Sequence, residues 1–200
     1  MPRPLTEAAL GIVVKSGWAA AVLLTGSATT PSVGDSQRLE LSDPAIPDCQ
    51  QPYHAGFGTA RASGADLDHL VSSVRQFGSQ SVTRAISQYG SAGYRVHAIG
   101  IVVGSMTDPE RIANPHIRIH ALEGTLFREV VEAAAEQSGV KYRVWRQRDL
   151  SGLAVTALVQ EEGTIRRAVG RLGLGIDGPW RAEQKAAALA AWLVLAGSTS

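Results

Sequence analysis

The stretch Tyr94 to Val103 (YRVHAIGIVV) constrains the fold more than any other part of the chain. It is β-branched, and its C-terminal end is almost continuously apolar, so it predicts a strand buried on both faces. Such a strand needs a layer on each side of its sheet, and the flanking periodicities supply helices for that purpose. Leu67, Leu70, Val71, Val74 and Phe77 fall at i, i+3, i+4, i+7 and i+10, with Asp66 near the start of the helix they predict. Val82, Ile86 and Tyr89 continue the stripe beyond Gly78, which is read as a kink or a division. After the strand, Asn114 is placed to cap and Pro115 to open a helix running to about Gln137. Leu122, Phe127, Val130, Val131 and Ala134 form its inner side, and Gly139 stops it. Residues 140–145 (VKYRVW) predict another strand, parallel to the first through a right-handed crossover.

The N-terminal third has a different rhythm. Leu10 to Val14 and Trp18 to Leu24 are apolar strand candidates separated by the turn residues Ser16 and Gly17, and Gln37 to Leu41 alternates like an edge strand. Together they predict a three-strand antiparallel meander. Residues 8–24, with Arg3 ahead and small residues near Ser27, have the composition of a signal peptide. Lys15 interrupts that run at its middle, where a membrane segment would pay about 2.5–3.5 kcal/mol, and neither half reaches the roughly 18 apolar residues of a span. The C-terminal run from Ala186 to Ala196 is shorter still. A cytoplasmic protein with no membrane partner is the expectation. Ser42 to Gly64 predicts a long ordered loop, or a hairpin over one end of the sheet, carrying Cys49, Tyr53, His54 and Phe57. Helical segments at about 153–172, broken at Gly163, and Arg181 to Leu195 close the chain. The Ala-rich face of the last helix serves either as core or as the seam of a homodimer.

The 200 residues hold one domain, spanning 1–200. The predicted fold class is α/β, a mixed five-stranded sheet with helices on both faces. This order, together with GIVVKSGWAAAVL, the strand ending HAIGIVV with the helix through EVVEAAAEQSGV, and the closing AEQKAAALAAWLVL, resembles the ribonuclease H-like fold and its RuvC-type Holliday-junction resolvases. The resemblance implies two-metal nuclease chemistry, in which clustered carboxylates clamp a pair of divalent cations. The residues at those places depart from it. Lys15 stands where the resemblance implies the first acid, Gly100 to Gly104 hold no carboxylate, and the last helix offers Glu183 beside Lys185. The expectation is a scaffold without the standard site, acting by binding nucleic acid, a nucleotide or a protein partner.

Other residues carry competing chemistry. His116, His120 and Glu123 are spaced i, i+4 and i+7, which on a helix places two imidazoles and a carboxylate on one face. With Glu183 they form the candidate ligand set for a divalent metal, and so an alternative as a metal-dependent nuclease or hydrolase; the same spacing also suits an ordinary polar helix start. Lys15 with the Ser16-Gly17 turn is a candidate phosphate contact, though a plain turn accounts for it too. Tyr53, His54 and Phe57 are candidates either for stacking on a base or for pinning the loop. Arg166, Arg167 and Arg171 are the candidate phosphate-binding cations, in a chain whose 19 Lys and Arg nearly balance 18 Asp and Glu. The single cysteine, Cys49, excludes an internal disulfide and a Cys-based zinc cage.

Overall fold

Along the first strand, alternate residues leave for opposite layers. In β1 (Thr6–Lys15), Ala8, Leu10, Ile12 and Val14 join one hydrophobic core, whereas Val13 joins a second. The computed structural model describes residues 4–56 and 59–197; Arg3 and Phe57, both singled out in the sequence, lie outside the described residues. β1 turns at Ser16 and Gly17 into β2 (Trp18–Gly26), and β2 pairs antiparallel with β3 (Pro31–Glu40), completing the meander. Gly17 has φ 80°, the left-handed region that favours glycine in a tight turn. The loop after β3 carries a short 3-10 turn at Pro47–Gln50 and a small hairpin, β4 (His54–Gly56) with β5 (Thr59–Ala60).

Next come α1 (Ala65–Ser91), β6 (Tyr94–Val103), α2 (Pro115–Gln137) and β7 (Lys141–Arg146). β6 pairs parallel with β1, and β7 pairs parallel with β6, so the sheet order is β3-β2-β1-β6-β7. The chain ends with α3 (Leu150–Leu158), α4 (Glu162–Leu172) and α5 (Ala182–Gly197). α1 and α2 cover one face of the sheet, and α3, α4 and α5 the other. The mixed five-stranded sheet with helices on both faces is therefore present as expected. No helix among the described residues is long and apolar enough to cross a membrane.

Three local expectations are corrected. Gly78 neither kinks nor divides α1, which runs unbroken; a Cβ there would meet Val130 Cγ1 at 2.6 Å and the Leu41 carbonyl oxygen at 2.7 Å. The glycine serves close packing between α1, α2 and the end of β3. The break near Gly163 falls earlier, at Val159, which takes φ 52° and ends α3, leaving Gly163 inside α4. On α2 the Asn114 side chain accepts from the Ile117 amide as a cap should, but Leu122 is only half-buried, and Glu123 occupies the core-facing position at 0% exposure.

The Ala-rich helix α5 is core. Ala187, Ala188, Ala190 and Ala191 are fully buried against β1, β2 and β6, and Trp192 Nε1 donates to the Ala28 carbonyl at 2.7 Å. On the opposite face, Tyr89 ties α1 to β3, donating to Asp35 Oδ2 and accepting from Gln37 Nε2, both at 2.7 Å. Burial first, and then the bond to Asp35, pushes the Tyr89 phenol far above its ordinary range. The folded state thus holds this proton more tightly than the unfolded chain. Its stabilising contribution is complete at neutral pH and declines as pH rises past the ordinary phenol value. Tyr89→Phe is expected to cost about 1–2 kcal/mol at neutral pH and to flatten the alkaline decline of stability, as read by denaturant titrations across pH.

Candidate functional site

β1, β6 and β7 run in the same direction, so their last residues, Lys15, Val103 and Arg146, lie at one edge of the sheet. The space beyond the C-terminal ends of parallel strands is where open α/β sheets bind ligands. Here a cleft of about 470 Å³ opens between the β1–β2 turn, the segment after β6 (Gly104, Ser105, Thr107) and the first turns of α2. Its ionisable lining residues are Lys15 and His120, and no carboxylate is among them. From the other face of the sheet, Glu183 in the first turn of α5 reaches Lys15, with Oε1 3.8 Å from Nζ. Both side chains are about one-third exposed, at 35% and 30%. Glu183 also sits favourably at the positive end of its helix.

A second cluster adjoins this cleft. His116 and His120 lie one turn apart at the start of α2, and their Nε2 atoms are 3.3 Å apart. His54, delivered by the β4 end of the long loop, completes a group of three whose ligand nitrogens all lie within 4.8 Å of one another. The loop is fixed by Arg61, which donates to the carbonyls of Pro52 and His54 and forms an ion pair with Asp48 at 2.7 Å. Behind His54 stands Glu123, 69 residues away in sequence, whose Oε1 is 2.7 Å from His54 Nδ1. Burial raises the Glu123 pKa, opposed by the bond and charge of His54. His120 is pushed down, first by desolvation and then by its two imidazole neighbours.

The sequence placed Glu123 beside His116 and His120; the structure brings His54 to that place and sets Glu123 behind it. Glu123 lies on the same face of α2 about one turn beyond His120, where that face meets the core and buries it completely. Glu183 is not with the histidines; it pairs with Lys15. Tyr53 packs against the core and so pins the loop. Cys49 is buried, its thiol 3.8 Å from the Leu70 carbonyl.

The arginines divide. Arg166 pairs with Glu162 at 2.8 Å and shares a groove of about 280 Å³ with Lys185 and Gln147, beside the end of β7. Arg167 donates to Thr164 at 3.1 Å, and both it and Arg171 are exposed on α4. Arg61 was not singled out in the sequence, because nothing in its spacing shows that its carbonyl partners would converge on it.

No protein-family model matches the sequence, and no curated protein matches it. Among solved structures, the chain is similar to Thermus thermophilus RuvC, at 12% identity and TM-score 0.55, over 98% of this chain and 96% of that one. It is also similar to T. thermophilus RuvC in complex with a Holliday junction substrate, at 12% identity and TM-score 0.56, with 98% and 96% covered. The yeast mitochondrial Holliday junction resolvase Ydc2 matches at 10% identity and TM-score 0.52, over 98% of this chain and 83% of that one. The fold is ribonuclease H-like and of RuvC type.

Proposed function

We propose that this chain uses its RuvC-type scaffold to bind the phosphate backbone of nucleic acid and does not cut by two-metal chemistry. The observation that carries this reading is the Lys15–Glu183 pair at the C-terminal edge of β1. A two-metal nuclease needs several carboxylates there to hold hard cations a few ångströms apart. The residues present do not fit that requirement. An ammonium repels a cation, the carboxylate that α5 brings is engaged with it, and the cleft lining has no acid among the described residues. The same features suit an anion. Lys15 lines the cleft, and Arg166 and Lys185 line a groove that also holds Glu162; with Glu183 counted, three cations stand beside two acids, so this edge carries a small positive excess in a chain of net charge +1.

The structural likeness to RuvC in complex with a Holliday junction makes branched DNA the first ligand to test. Fluorescence anisotropy with a four-way junction, a duplex and a single strand, each at several salt concentrations, tests the reading. Affinity is expected to fall steeply with salt, the slope counting the phosphates engaged. A flat salt response for all three nucleic acids would contradict it.

A further inference from the structure

We propose that His54, His116 and His120 form a transition-metal site of the three-imidazole kind, for which Zn²⁺ is the ion to test first. The spacing of the ring nitrogens suits tetrahedral coordination. Tetrahedral coordination with Zn–N bonds of about 2.0–2.1 Å requires ligand nitrogens roughly 3.3–3.4 Å apart. The Nε2 atoms of His116 and His120 are 3.3 Å apart, and the three ligand nitrogens lie within 4.8 Å of one another, so a small rotation of His54 closes the set.

The support behind the ligands is of the kind metal sites need. Glu123, fully buried, has Oε1 2.7 Å from His54 Nδ1; an ionised Glu123 accepting there holds the His54 proton on Nδ1 and leaves Nε2 as the nitrogen free to ligate. Glu123 occupies a fully buried position on the inner side of α2, a costly place for a carboxylate whose only role is packing. Arg61 holds the loop that carries His54, while Asn114 and Pro115 set the start of the helix that carries the other two. Imidazole donors select transition ions over Mg²⁺, so this site is chemically distinct from a carboxylate clamp.

The surroundings leave a coordination position to solvent. His54, His116 and His120 line a pocket of about 570 Å³, and His120 also lines the Lys15 cleft. Three protein ligands and one exchangeable position are the pattern of zinc sites that bind water or an anionic oxygen. The site does not depend on the nucleic-acid reading, because its ligands are neither Lys15 nor the α4 arginines.

The test uses tag-free, full-length protein stripped with chelator, then titrated with Zn²⁺ by calorimetry, and with Co²⁺ by visible spectroscopy. One Zn²⁺ per chain, a Co²⁺ spectrum of tetrahedral intensity and a raised Tm are the expected results. His116→Ala and His120→Ala, at exposed positions that leave the core intact, should each weaken Zn²⁺ binding by about 100-fold or more; Glu123→Gln, which retains the volume, should weaken it by about 10–100-fold. Absence of one-to-one binding in the wild type, or equal affinity in the wild type and the His116→Ala/His120→Ala double variant, would overturn the proposal.

Discussion

Gly11→Ala is expected to be the most destabilising single-methyl change in this protein, costing about 4 kcal/mol or more. Gly11 lies in the middle of β1 on the face that α5 covers, and a Cβ there would overlap the Ala187 carbonyl oxygen, 2.7 Å from Ala187 C and 2.8 Å from Ala191 N. These are backbone atoms of a regular helix, not the end of a side chain that can swing aside. The conflict is relieved only by lifting α5 off the sheet. Gly100 on β6 makes the same close approach, with the Ala190 carbonyl oxygen 2.7 Å from its missing Cβ, so α5 is seated on two glycines at once. Lifting it would open gaps around Val13, Val22 and Val102, which share that core. For a chain of this length a melting temperature lower by roughly 10 °C follows, or failure to fold. Gly170→Ala in α4, where a Cβ meets nothing within 4 Å, is the control and is expected to gain about 0.5–1 kcal/mol.

The second large effect concerns ligand binding. Reversing two charges in the groove beside the cleft, with Arg166→Glu and Lys185→Glu, is expected to weaken binding of a four-way junction on the order of 100-fold at low salt. The log–log salt slope should become shallower by about two, because two phosphate contacts are lost. Both residues line a surface groove, so circular dichroism and Tm should change little. Reversal of Arg167 and Arg171, on the exposed surface of α4, discriminates between the sheet edge and the helix surface as the contact face. An equal loss from that pair would move the interface onto α4.

Much of the fold was legible because period and burial agree. The C-terminal half of β6, Ile99 to Val103, is covered on both faces, the meander turns where Ser16 and Gly17 allow it, and Asn114 caps the helix it precedes. What was not legible depends on partners distant in the chain. A glycine within a strand signals a close backbone approach, but nothing near Gly11 or Gly100 identifies α5 as the neighbour. Gly78 gave the opposite error. Its lack of a side chain suggested a break, whereas it permits contact with Val130 and Leu41. The candidate site divides in the same way. His116 and His120 were visible as a pair through helical spacing, and Glu123 was placed with them by the same arithmetic. Its true position follows from facing the core, and its link to His54 spans 69 residues. Lys15 and Glu183 were each identified from their element, and the structure joins them across the edge of the sheet.

On the proposed reading, the Lys15–Glu183 ion pair at the C-terminal edge of β1 stands in place of a carboxylate clamp for two cations. The most direct measurement incubates purified protein with four-way junction, duplex DNA and RNA–DNA hybrid, with Mg²⁺ or Mn²⁺, beside a Glu183→Ala variant. Substrate is expected to stay intact in every mixture, while salt-sensitive binding persists with or without the added cation. Cleavage that requires Mg²⁺ and disappears in Glu183→Ala would contradict it.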